Sequence, residues 1–207
     1  MNGNNKLVTR TTIKGNAIGL FLMAFFTIGW AGMAEGSLNG KDHGSVVIIF
    51  SLISYGFIGY AIYLLRISKR FSSFDDEVQK SASQKLMKQF YMNFGVEIIA
   101  VCILSFILNY LHKNDYIVPV IALIIGLHFY PLTKIFKRKI DYFFATWTCI
   151  ISICGILMLL FKSFSVSNIC SFVSIGVAFA TTGYGIYMLY KGEKYKSMGI
   201  NENNASH

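Results

Sequence analysis

The chain holds 207 residues, 54% hydrophobic and only 14% charged, with 19 Lys and Arg against 10 Asp and Glu and a formal charge of +9. Soluble domains carry about 25% charged residues, so this composition, with a mean hydropathy of +0.52, excludes an ordinary soluble domain. It also sets aside nucleic acid as the partner of the +9 charge, because the basic residues sit just beyond apolar runs, where they meet anionic lipid headgroups.

Six apolar runs are predicted as membrane spans, at about 16–36, 46–66, 90–111, 116–136, 142–161 and 168–190. Each reaches the ~20 residues that cross a hydrocarbon core of ~30 Å. Lipid offers backbone polar groups no partner, so the spans must be helices. A β-barrel would need alternating segments of about ten residues, and these runs do not alternate. The expected fold is therefore all-α, a single integral membrane bundle of six transmembrane helices.

In the first run, Gly32 and Ala34 form a small-residue site of the signal-peptide kind. The run is long, however, and continues through Glu35 and the glycines, so a retained helix is expected, with Trp30 as an interface anchor. Asn39 to Ser45 links it tightly to the second run. His112 to Asp115 links the third and fourth, so pairs 1–2, 3–4 and 5–6 are expected to be antiparallel neighbours.

The longest connection, from Ile67 to Gln89, reads as an amphipathic helix over about 74–88 on the membrane surface, running into the third span. Ser73 and Asp76 resemble a capping box, and Asp75, Asp76 and Glu77 suit a helix N-terminus. Phe71, Phe74 and Val78 recur at helical spacing. A cation site at the acidic triplet is the other reading.

Two stretches resemble each other: IGYAIYLLR from Ile58 to Arg66 and TGYGIYMLY from Thr182 to Tyr190 share five identities in nine. A duplicated hairpin explains them; so does the gathering of aromatics and Gly at membrane interfaces. Small-residue pairs at Gly15/Gly19 and Gly32/Gly36, and a face of Ser171, Ser174, Ala178, Thr182 and Gly185, provide for close helix packing. Such packing serves the monomer, a homodimer or a membrane partner protein.

Basic residues resist translocation. The non-apolar segments hold, in order, 3, 1, 6, 1, 4, 1 and 3 of them, which puts sixteen on one side and three on the other. Both termini are therefore expected in the cytoplasm.

Chemistry is sparse. Cys102, Cys149, Cys154 and Cys170 all lie within predicted spans, so structural disulfides are not expected. The chain carries no metal-ligand spacing, phosphate loop, HExxH or GxSxG, and no nucleophile with a base. Neither an enzyme nor a cofactor is expected.

The residues that a bilayer penalises are the site candidates. Glu97 lies about 10 Å into the third span, and His128 about 12 Å from the same side on the fourth, at 1.5 Å per residue. An acid at mid-helix costs on the order of 2.5–3.5 kcal/mol, which a Glu–His pair would offset while holding or passing a proton. Asn93 sits one turn from Glu97. Pro131, in GLHFYPL from Gly126 to Leu132, cannot donate to the carbonyl of Leu127 and is expected to kink the helix there. Glu35 is a further candidate, as an outer gate or cation attractor. The bland alternatives are a hydrogen bond that only pins two helices, and a Glu35 that only reaches headgroup water.

GLHFYPL, with the N-terminal IGLFLMAFFTIGWAG, resembles small uncharacterised multi-pass membrane proteins of Gram-positive bacteria. The two segments cover about a tenth of the chain. The resemblance implies a bacterial plasma-membrane protein of five to seven spans and carries no substrate or catalytic residue.

Two functions remain. One is a small proton-linked transporter or channel whose path is lined by Glu97, His128 and the Pro131 kink. The other is a non-transporting component, such as a partner subunit or a stress or immunity protein, acting through its helix faces. The first expects a water-filled cavity reaching Glu97, the second a tightly packed bundle.

Overall fold

Apolar runs without alternation fold as helices in the computed structural model, which describes residues 10–69, 71, 77–136 and 138–205. Among them are α1 (Arg10–Leu38), α2 (Ser45–Ser68), α3 (Glu77–Tyr110), a 3-10 turn (Asn114–Tyr116), α4 (Ile117–Phe136), α5 (Lys139–Leu160) and α6 (Val166–Ala205), with no strand. Six helices are long and apolar enough to cross a membrane. Ser73, Phe74, Asp75 and Asp76 lie outside the described residues. From Glu77 onward the expected surface helix is one unbroken α3 with the third span. α6 likewise runs on past its apolar part through Lys191, Lys194 and Lys196, a stretch without proline.

Side-chain contacts fix the directions of the helices. Asn16 donates to the Met188 carbonyl (2.9 Å), Thr27 to the Thr181 hydroxyl (2.8 Å), and Ser167 to the Ser37 carbonyl, so α1 and α6 are antiparallel along their length. Tyr60 of α2 meets Glu193 of α6, which makes those two parallel. Arg10, Arg66, Lys134 and Lys191 thereby share one end of the bundle, the basic end, and Lys41, Lys113 and Lys162 occupy links at the other.

The expected pairs 1–2, 3–4 and 5–6 are all neighbours, but they are not the whole of the packing. α1 packs most extensively on α6, then on α2, and α4 packs on α5. Pairs 3–4 and 5–6 also touch. Seventy-two per cent of the apolar window of α6 is buried against 6% for α3, so α6 is the central helix and α3 the peripheral one. Small residues are the reason. Ser171, Ser174, Ala178 and Thr182 are buried, and a side chain at Gly185 would strike Phe57, as one at Gly176 would strike Ile151. Close backbone approach of this kind gains dispersion where lipid offers no hydrophobic drive.

Two apolar clusters result. At the basic end Ala17, Leu20 and Ala24 pack with Ala61, Leu64, Tyr184 and Met188, so both of the similar stretches lie against α1. Towards the other end Trp30 packs with Phe50, Ala122, Val173 and Val177. Trp30 is only 3% exposed, which corrects its expected role as an interface anchor: its ring is packed into the core with Phe50, Ala122, Val173, Val177 and Ala178.

The links opposite the basic end use left-handed residues. His112 (φ 54°) and Lys162 (φ 52°) follow α3 and α5. In each case the next residue donates back to the helix, Lys113 to Leu108 (2.8 Å) and Ser163 to Met158 (3.1 Å). This is the Schellman arrangement, which satisfies carbonyls left over at a helix end. Asn39 (φ 52°) ends α1 in the same conformation. Asp42 then caps α2 by accepting from the Val46 N–H (2.9 Å), and that backbone bond holds its carboxyl below the usual value.

Three expected outcomes rest on the links and the packing. His112→Gly removes the side-chain penalty of a left-handed residue and should raise stability by about 1 kcal/mol, read as an increase in Tm in detergent. Gly185→Val should cost about 1–3 kcal/mol by overpacking against Phe57. Gly32→Ala, whose added carbon meets nothing within 4 Å, should leave Tm unchanged.

Candidate functional site

α3 presents apolar side chains outward: Val96, Ile99, Ile103 and Phe106 are all more than half exposed. Among its described residues the single buried one is an acid, Glu97. It faces α4, where His128 Nδ1 lies 3.1 Å from Glu97 Oε2, with side chains 9% and 7% exposed respectively. Asn93, one turn earlier, brings Nδ2 to 3.0 Å from the same Nδ1 and donates to the His128 carbonyl at 3.3 Å. The structure thus brings Glu97, His128 and Asn93 together. Phe94 and Phe129 close over the imidazole edge to face.

The cluster has one valence too few. Nδ1 offers a single in-plane position, either a lone pair or an N–H. As a lone pair it accepts from Asn93, and Glu97 can join only by carrying a proton. As an N–H it donates to a Glu97 carboxylate, and Asn93 must turn its amide or keep only the carbonyl bond. In the present geometry Glu97 Oε2 is close to Nδ1 but not aligned for a hydrogen bond, and is buried without one. Adding or removing one proton therefore changes which helix–helix bonds are made.

The other expected residues stand apart. Pro131 is inside an unbroken α4, with its ring exposed, and it removes the donor that the Leu127 carbonyl would use. Glu35 lies at the end opposite the basic end, beside Asp42, and is not part of the α3–α4 cluster.

A second polar cluster was not singled out from the sequence. Asp141, near the start of α5, is fully buried and accepts from the Tyr184 hydroxyl at 2.7 Å. The same hydroxyl accepts from Arg138 Nη1 at 3.2 Å. A neutral tyrosine therefore bridges a cation and an anion that do not touch. Tyr60, the counterpart of Tyr184 in the similar stretch of α2, also donates to a carboxylate, that of Glu193, at 2.7 Å. The available signal was Asp141 itself, the single acid in the basic run from Lys134 to Lys139 and beyond, together with the repeated Gly-Tyr.

Between α1, α3, α4 and α6 at the basic end lies a cavity of about 590 Å³. Arg138 and Tyr184 reach it, as do Asn16 and Tyr195, and Phe129 and Phe90 form apolar wall. Glu97 and His128 do not line it. Phe129 stands between, its ring 5.9 Å from that of His128 and 5.9 Å from that of Tyr184.

Tyr184→Phe should therefore leave a buried carboxylate oxygen without its donor and Arg138 without an acceptor, at a cost of about 1–3 kcal/mol. Asp141→Asn added to it should cost less than the sum of the two single changes, because they remove one network; thermal unfolding of the three variants checks this.

No protein-family model, curated protein or solved structure matches the chain.

Proposed function

We propose that this chain is a small proton-linked transporter or channel of a bacterial plasma membrane, with the basic end and both termini in the cytoplasm and no enzymatic chemistry. The observation that carries this reading is that the one buried residue among those described in α3 is an acid set 3.1 Å from a histidine whose Nδ1 has two suitors. α3 touches the rest of the bundle chiefly through α4. A change of protonation that rearranges the Asn93–His128 bonds and the Glu97–His128 contact loosens the helix with the least to hold it. A turn of Phe129 then joins the cluster to the cavity, giving a path from the basic end to the depth of Glu97. Intramembrane acids and histidines commonly serve such paths.

One observation favours the other reading, a non-transporting component in which the cluster is a clamp: Glu97 and His128 are buried and do not line the cavity. A second copy or a membrane partner would then approach through Gly32 and Gly36, whose faces meet nothing within 4 Å, since the small face of α6 is occupied inside the chain.

Water access separates the two. With Cys102, Cys149, Cys154 and Cys170 replaced by serine, Glu97→Cys and His128→Cys are each treated with an impermeant maleimide in right-side-out and inverted vesicles. Lys113→Cys and Lys194→Cys serve as surface controls. The transporter reading expects labelling at both buried positions, and the clamp reading expects protection. The orientation expects Lys194→Cys to label only in inverted vesicles; labelling only in right-side-out vesicles reverses it.

A further inference from the structure

We infer that the cavity between α1, α3, α4 and α6 is a binding site for an amphipathic anion, with its acidic group at Arg138 and its apolar body along α1, α3 and α4. The inference goes beyond the proton-linked reading and does not depend on it.

Size and shape come first. At about 590 Å³ the cavity lies in the range of ~300–1,000 Å³ typical of small-molecule sites. Leu22 of α1, Met87 and Phe90 of α3, and Phe129 and Leu132 of α4 give it long apolar walls. The polar groups come from several helices, Thr11, Thr12 and Asn16 of α1, Gln84 of α3 and Tyr184 and Tyr195 of α6, but Arg138 is the one charged group among them. A ligand filling this space is apolar over most of its length and charged at one end.

Charge decides the sign of that end. Arg138 is held in place by Phe136, whose ring lies 4.8 Å from the guanidinium carbon, and by the Tyr184 hydroxyl. A guanidinium so fixed presents a planar fork of donors that matches a carboxylate or phosphate. Asp141, the nearest acid, is turned behind the tyrosine and accepts its proton. Glu193 is engaged by Tyr60 and Lys196. Lys191 lies over the Tyr187 and Tyr195 rings (5.7 and 6.0 Å), which adds positive charge at the mouth. Among the described residues that line the cavity there is no acid, so a cation would meet Arg138 with no carboxylate beside it.

A fatty acid, an alkyl phosphate and an anionic phospholipid share this chemistry, the first two as free solutes and the last from the surrounding leaflet. The test is saturable binding of tritiated decanoate to the purified full chain in dodecyl maltoside, followed by scintillation proximity. Unlabelled decanoate should compete at least tenfold better than decanol, and decyltrimethylammonium should not compete. Displacement by decyl phosphate but not by phosphatidylglycerol assigns a free solute, and displacement by phosphatidylglycerol assigns a lipid; both support the site. Absence of saturable binding, or decanol competing as well as decanoate, overturns it.

Arg138→Gln should weaken decanoate binding at least tenfold. That change strips Asp141 of its nearby cation and risks the fold, so Gly15→Leu is the second variant. Gly15 lines the cavity, and a Cβ added there meets nothing within 4 Å, so the side chain starts in open space. It should keep the wild-type Tm and lose binding at least tenfold by occupying the ligand's space. Wild-type binding in a folded Gly15→Leu protein overturns the assignment.

Discussion

Where helices meet with no water to expel, they are held by how closely their backbones approach and by polar groups that have no other partner, and α6 meets both conditions against α1. Asn16, Thr27 and Ser37 are spaced along α1 so that each finds a partner on α6. Alanines at positions 17, 24, 31 and 34 are fully buried. With that seam made, α2 can lie against both helices, placing Phe57 on Gly185, and α5 can place Ile151 on Gly176. α4 follows through Gly126, which sits on Thr148 and Cys149 of α5. Each step depends on a missing side chain on one of the two helices that meet.

α3 is outside this scheme. Among its described residues no small-residue face is buried against the bundle, and Val96, Ile99, Ile103 and Phe106 point away. What holds it is a short aromatic ladder, Phe90 and Phe94 stacked and Phe90 against Phe136, with the Glu97–His128–Asn93 cluster one turn further on. Polar contacts of this kind are directional and respond to protonation, whereas dispersion contacts do not. The helix that carries the acid is therefore also the one whose attachment a proton can alter.

The two polar clusters are built on different logic. In the Asp141–Tyr184–Arg138 arrangement the hydroxyl gives one bond and takes one between opposite charges, while the second Asp141 oxygen is buried without a hydrogen bond. The Glu97–His128–Asn93 arrangement is unbalanced by one proton. Phe129 touches the imidazole of one cluster and the tyrosine of the other, and forms wall of the cavity at the basic end.

From the sequence alone one could read six apolar helices and the segregation of basic residues to one end, because apolar length and charge position are local properties. The meeting of Glu97 with His128 was legible too, since a tight link forces antiparallel neighbours and helical rise then sets their depth. The primacy of α1–α6 was not legible, because the first and last helices are distant in sequence and no link announces their contact. Nor was the burial of Trp30, which depends on which small residues face it. Asp141 looked like one more charge beside a basic run. Only the tertiary structure decided that Tyr184, 43 residues away, turns it inward, since a hydrogen bond between helices depends on the rotation of each about its axis. That rotation is set by packing, and no single stretch of sequence carries it.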